Sequence, residues 1–264
     1  MRVALAQFAA STDPAGNLAR VREFATEAAA RSAELVVFPE AAMSSFARPR
    51  AEAAEPFDGP WAGGVRAIAA DLGVTIVAGM FTTTDTPRVR NTLLVTGGAE
   101  ARYDKLHLFD ALGYAESRQI EPGSWPVTFD LAGHTVGLAT CYDVRFPGLF
   151  THLAALGAEL VVLPASWAPG EAKLHQWRTL VTARAMDSTS FVVAVDQSVP
   201  PAVATGPAPT GIGHSLVIDP TGAVLLELGE DDELTVVDLD LSAVAAVRER
   251  LPVLRHAVPL PPLD

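Results

Sequence analysis

Short continuous runs of apolar, β-branched residues recur along this chain, each cut off by a proline or by a change to polar residues. Glu34-Leu35-Val36-Val37-Phe38 stops at Pro39, the run 136–140 stops at Cys141, and the run 160–163 stops at Pro164. An unbroken apolar run suits a strand buried on both faces; a strand with one wet face alternates instead. Segments with helical spacing separate the runs, at 17–32, 65–72, 150–156 and 174–188, with a last helix at 241–250. Further strands are expected at 3–8, 74–81, 91–96, 191–195 and 235–239. Asp219-Pro220-Thr221-Gly222 is a turn signal between 213–219 and 223–228, so that pair forms a late hairpin. The order is β-α-β-α with hairpins, which predicts an α/β domain with strands inside and helices outside. No repeat or long linker interrupts it. The chain 1–264 therefore reads as one domain, with a surface loop at 199–210 and an extended proline-rich tail at 259–264, where proline cannot propagate a helix.

Composition narrows the function. Hydrophobic residues make up 49% of the 264 and charged residues 19%, enough apolar matter for a core and too little charge for a disordered chain. The net charge is −12 with no Lys/Arg-rich run. Such a surface lacks the footprint of a nucleic-acid binder and the basic patch that holds a protein on anionic lipid. No apolar run approaches the roughly 20 residues of a membrane span, and the N-terminal apolar stretch reads as a strand, not a signal peptide. A cytoplasmic address is expected. The single cysteine, Cys141, excludes an intrachain disulfide and a cysteine-built metal site.

Three residues stand where chemistry could be placed. Cys141 follows a buried strand directly and precedes a turn and helix, which would expose a nucleophile at a sheet edge beside free backbone N–H groups. Taken alone it reads equally as a buried structural thiol. Glu40 follows Phe38-Pro39 at another strand end, or is a loop acid or helix cap. Lys105 lies in Tyr103-Asp104-Lys105-Leu106-His107-Leu108-Phe109-Asp110, or is a surface lysine. All three could come from the C-terminal ends of strands in an α/β sheet, where such sheets place their sites. The histidines offer no rival scheme: His107 buttresses the lysine segment, His175 and His214 pack, and no pair has metal-ligand spacing.

Taken in order, Phe38-Pro39-Glu40, Asp104-Lys105-Leu106-His107-Leu108-Phe109, Glu121-Pro122-Gly123, Cys141-Tyr142-Asp143-Val144-Arg145-Phe146-Pro147, Ala183-Arg184-Ala185-Met186-Asp187 and Gly213-His214-Ser215 resemble the carbon–nitrogen hydrolases of the nitrilase superfamily. The stretch Glu116-Ser117 ahead of Pro122-Gly123 is most similar to the ω-amidase-like branch. The resemblance covers nearly the whole chain. It implies a four-layer α/β/β/α sandwich, a homodimer or higher homo-oligomer, no metal and no organic cofactor. It places the family's catalytic residues on Glu40, Lys105, Cys141 and Glu116, with the backbone N–H of Tyr142 in the oxyanion hole. The implied activity is cleavage of a small linear amide to an acid and ammonia through an acyl-thioester. Nitrile hydrolysis and N-carbamoyl-amine hydrolysis are the near alternatives, and a catalytically silent interaction scaffold the distant one.

Substrate residues are expected at Arg145, Trp167 and Glu171. A guanidinium matches a carboxylate bidentately, so Arg145 is expected to hold a substrate carboxylate. Trp167 supplies an apolar wall. Glu171, in Pro164-Ala165-Ser166-Trp167-Ala168-Pro169-Gly170-Glu171, would repel a second carboxylate, or instead favour an amine or hydroxyl on the substrate, or pair with Arg145 and mask it.

Overall fold

The structure, a computed structural model, describes residues 1–111, 113–200 and 209–258. The tail expected at 259–264 and most of the loop expected at 199–210 lie outside them. The first half of the chain runs β1 (Arg2–Gln7), α1 (Pro14–Ala30), β2 (Leu35–Val37), α2 (Arg50–Ala53), α3 (Pro60–Leu72), β3 (Thr75–Thr83), β4 (Val89–Thr96) and β5 (Ala101–Asp104). A small hairpin follows, β6 (Asp110–Ala111) with β7 (Tyr114–Ala115), then a 3-10 turn, Glu116–Arg118. The second half runs β8 (Thr128–Leu131), β9 (His134–Leu138), a 3-10 turn at Cys141–Arg145, α4 (Pro147–Ala155), β10 (Leu160–Ala165), α5 (Lys173–Ser188), β11 (Phe191–Asp196), β12 (Leu216–Ile218), β13 (Val224–Glu227), β14 (Glu233–Asp238), α6 (Ala243–Arg250) and α7 (Val253–His256).

Two six-stranded sheets result, in the orders β14-β1-β2-β3-β4-β5 and β13-β12-β11-β10-β9-β8. Each has three parallel strands at its centre. β2 pairs with β1 and β3 on either side, and β10 pairs with β9 and β11. Antiparallel strands flank both triplets.

The unbroken apolar runs now have a physical reason. Side chains alternate across a strand, so each run must satisfy two faces. In β1 and β2, Val3, Leu5, Leu35 and Val37 face the second sheet, where they meet Val136, Leu138, Leu160 and Val162. Ala4, Ala6, Val36 and Phe38 face the other way, against Val21, Phe24 and Ala28 of α1 and Val65 and Ile68 of α3. In the second sheet, Val161, Leu163, Val192 and Ala194 pack on Leu153 of α4 and Trp177 and Val181 of α5. The layers are therefore helix, sheet, sheet, helix. Each large side chain buried this way contributes about 1.5–3 kcal/mol against exposure, which explains why no polar residue interrupts these runs.

Four strands escape the apolar-run reading. β5 is Ala-Arg-Tyr-Asp with only Tyr103 buried, β8 is four residues with one exposed aspartate, and β6 and β7 are two residues each. Each is too short or too polar to carry a period. None of the described helices is long and apolar enough to cross a membrane.

Candidate active site

The central parallel strands of both sheets end at one place. Past the end of β2 the chain reaches Glu40, and past β9 it reaches Cys141. β10 leads into Ser166-Trp167, and β11 ends at Asp196. A narrow cavity forms there, with about 20 Å³ open to the centres of water-sized spheres, lined by Glu40, Lys105, Glu116, Cys141, Tyr142, Arg145, Ser166, Trp167 and Lys173, with Phe46, Phe109 and Tyr114 among its apolar wall.

Glu40 is fully buried. Its Oε1 accepts from Lys105 Nζ at 3.0 Å and Asn91 Nδ2 at 2.7 Å, and its Oε2 accepts from the Ser166 backbone N–H at 2.9 Å. Its own carbonyl accepts from Gln197 Nε2 at 2.8 Å. The Glu40 backbone lies flat against β3 because Gly79 has no side chain. A Cβ there would stand 2.5 Å from the Ala41 nitrogen and 2.9 Å from the Glu40 Cα. Lys105, just past the end of β5, also reaches Glu116, with Nζ 3.1 and 2.9 Å from its two oxygens. Glu116 Oε2 accepts from the Phe109 N–H at 2.7 Å as well. One buried ammonium thus sits between two buried carboxylates.

Cys141 occupies the left-handed region, with φ of 46°, at the head of its 3-10 turn. For a residue with a Cβ this conformation is strained, and strain of this kind gathers at functional turns. The turn is held by Asp143. Its Oδ2 accepts from the Thr140 N–H at 2.8 Å and the Tyr103 hydroxyl at 2.6 Å, while its Oδ1 accepts from the His107 N–H at 3.1 Å. His107 Nδ1 lies 2.7 Å from the same oxygen, and its ring stacks on Phe146 with centroids 3.6 Å apart. His107 is therefore the buttress the sequence suggests, joining the lysine segment to the cysteine turn. The Cys141 thiol donates to the Ser166 carbonyl, with Sγ 3.7 Å from the oxygen. Ser166 consequently holds both partners, the thiol through its C=O and Glu40 through its N–H.

Electrostatics follow from burial. Burial pushes the Cys141 thiol well above its usual pKa; the Glu40 charge adds to this, and Lys105 opposes it. Glu40 is raised too, first by burial and further by Glu116, against the pull of Lys105. For Lys105 burial works against the charge, but Glu116 and Glu40 outweigh it and hold the ammonium well above the ordinary lysine range. The site therefore rests as a thiol beside a fixed cation and a carboxyl group whose charge burial disfavours.

The expected residues Glu40, Lys105, Glu116, Cys141, Tyr142, Arg145 and Trp167 all line the cavity. Glu171 does not: it is exposed on the loop, and Lys173 lines the cavity instead. The left-handed Ala172, with φ of 57°, reverses the chain between the two, so the acid and the lysine leave in different directions. Sequence reasoning also missed Asn91, Ser166 and Asp196. Asp196 is buried and accepts from the Trp167 and Ile212 N–H groups at 2.7 and 2.8 Å, fixing the loop that carries Trp167. Asn91 could have been suspected as a polar side chain inside an apolar strand; nothing in the sequence marks the others. Among the described residues no group of three or more His, Cys, Asp or Glu is arranged to hold a metal ion.

The carbon-nitrogen hydrolase family model matches residues 2–249. A hydrolase of Mycobacterium tuberculosis is 48% identical over 100% of this chain and 98% of its own length. The deaminated glutathione amidase of Escherichia coli O157:H7 is 34% identical, over 99% of each chain. Among solved structures, a CN-hydrolase superfamily protein of Xanthomonas campestris with an arsenic adduct in its active site superposes with a TM-score of 0.84 at 28% identity, covering 98% of both chains. Fold, sequence and family match agree over almost the full length, and the chain belongs to the carbon-nitrogen hydrolase family as an amidase-type C–N hydrolase.

Proposed function

We propose that the enzyme hydrolyses a small linear amide carrying a carboxylate, through an acyl-thioester on Cys141. The observation that carries this reading is the double anchorage on Ser166, which holds the Cys141 thiol and the Glu40 carboxylate at the two ends of one residue while Lys105 is fixed beside them.

A thiol raised by burial cannot ionise unaided at neutral pH, so it needs a base at the moment of attack. Glu40 takes the proton from sulfur as the C–S bond forms. The carbonyl electrons move to oxygen, and that oxyanion is held by the Lys105 ammonium and the Tyr142 N–H. The N–H groups at the head of a helical turn have no acceptor within it. Glu40 then protonates the nitrogen as the C–N bond breaks, releasing ammonia. It next removes a proton from the incoming water, which attacks the thioester and returns the thiol. Glu116 keeps Lys105 charged and in place. Arg145 holds the substrate carboxylate and Trp167 walls the acyl chain.

Ammonia and carbon dioxide release, measured on succinamate, butyramide, butyronitrile and an N-carbamoyl amine, tests this reading. Ammonia from the amides is expected, with succinamate preferred. Turnover confined to nitriles, or carbon dioxide released with the ammonia from the carbamoyl compound alone, would contradict it.

A pH profile offers an independent check. Glu40 must be charged to accept the thiol proton, and burial with the neighbouring Glu116 charge raises its pKa. Activity is therefore lost as pH falls through a value above the ordinary glutamate pKa of about 4.3. Glu116→Gln removes a raising charge and leaves Lys105 to pair with Glu40 alone. The acidic limb of kcat/KM is expected to move to lower pH in that variant; a limb that moves up would count against Glu40 as the base.

A further inference from the structure

The cavity holds a third cation, which the proposed reaction does not use. Lys173, the first residue of α5, is buried, and its Nζ lies 5.3 Å from the centroid of the Trp167 ring and 5.7 Å from that of Phe109. Arg145 lies against the same indole, with Cζ 5.2 Å from its centroid. Trp167 is fixed at both ends. Its backbone N–H donates to Asp196 at 2.7 Å, and its indole N–H donates to the Lys173 carbonyl at 3.1 Å. One rigid aromatic plate thus sets the position of both cations.

Neither cation has a carboxylate partner among the described residues. Arg145 donates through Nη2 to the neutral Gln176 Oε1 at 2.7 Å, and Lys173 Nζ meets only aromatic faces. The stretch 201–208 contains no acidic residue that could pair with them. The cavity is otherwise balanced around Lys105, which already has two carboxylates. With Arg145 and Lys173 included, three cations face two carboxylates, leaving one positive charge unmatched along the cavity. A desolvated charge without a counter-ion is costly, and a ligand of opposite sign relieves that cost.

We infer that Lys173 is a specificity-determining residue, forming with Arg145 a two-cation subsite that takes a single carboxylate at the end of the substrate remote from the scissile amide. The inference rests on the amidase reading of this site and extends it. One carboxylate cancels the excess charge; a second would reverse it. Arg145 offers a planar fork and Lys173 a compact point charge, so together they bind the two oxygens from different directions. Burial and the Arg145 charge also hold the Lys173 ammonium below the ordinary lysine range, a penalty that a bound anion removes.

The test compares Lys173→Met with wild-type enzyme on succinamate and on butyramide, the same acyl length with and without the carboxylate. A charge-assisted contact of this kind corresponds to a loss of about 10- to 100-fold in kcat/KM on succinamate. The loss on butyramide is expected to be at least about tenfold smaller, and Lys173→Arg should retain most of the preference. Equal losses on the two amides would overturn the assignment. Lys173→Gln supplies a second uncharged side chain should methionine disturb the packing on Trp167. Calorimetry of succinamate binding to Cys141→Ala and to Cys141→Ala/Lys173→Met reads the subsite without turnover. A weaker Kd in the double variant supports the subsite, and an unchanged Kd overturns it. Should wild-type enzyme turn over neither amide, the amidase reading fails by itself, while the calorimetric comparison still decides the part of Lys173.

Discussion

Lys105→Met is expected to cost about 10²–10³-fold in kcat, the usual effect of removing one oxyanion donor, with a much smaller change in KM. A group that acts on the developing oxyanion lowers kcat and kcat/KM together. The same substitution should destabilise the fold. Lys105 is the shared partner of Glu40 and Glu116, all three buried. Removing one member of such a buried arrangement leaves uncompensated charge and typically costs about 3–5 kcal/mol. The cost can be escaped only by protonation, and with the lowering pull of Lys105 gone the Glu40 pKa in the folded variant rises further. A group with a raised folded pKa is stabilised below that pKa, and the stability is lost as pH rises through it. The stability deficit of Lys105→Met should therefore be largest at neutral pH and shrink on acidification. Thermal unfolding of both proteins across pH 5–8 checks this; a deficit that grows toward acid would contradict the charge arrangement.

Cys141→Ala is expected to lower turnover by at least about 10⁴-fold, the scale seen when a nucleophile is removed from a site that works as a unit. Its stability should change by only about 1 kcal/mol. The thiol makes one weak contact, to the Ser166 carbonyl, and alanine suits the left-handed φ of 46° no worse than cysteine does. Cys141→Ser should be nearly as inactive, because a hydroxyl held in the same place is the weaker nucleophile. Rates measured with a sensitive ammonia assay, beside a thermal melt, separate loss of chemistry from loss of fold.

The parts that could be read from sequence are those where burial leaves a one-dimensional trace. The central strands sit between two apolar layers, so 35–37 and 160–163 carry no polar residue, and the chain announces where they stop. Glu40 stands just past the first of these stops and Cys141 just past the run 136–140, so both were visible as candidates, as was Lys105; the resemblance added Glu116 and the oxyanion role of Tyr142. What supports them was not visible. Ser166 contributes backbone atoms only, which no side-chain motif records. Asp143 collects the His107 N–H, and Asp196 those of Trp167 and Ile212, all from segments distant in sequence. The resemblance placed Glu171 at the substrate pocket, but one positive-φ alanine turns the loop, and Lys173 lines the cavity instead. A backbone reversal of that kind, made by an alanine, leaves no mark in composition or period.

The role of Cys141 as a covalent nucleophile is tested most directly by the mass of the enzyme caught during turnover. The wild-type protein, mixed with excess succinamate and quenched in acid within the first turnovers, should carry a succinyl adduct that peptide mapping places on Cys141. The adduct should be absent from Cys141→Ala and should disappear as substrate is exhausted. Steady release of ammonia with no adduct at any quench time, together with undiminished turnover by Cys141→Ala, would contradict covalent catalysis at this residue.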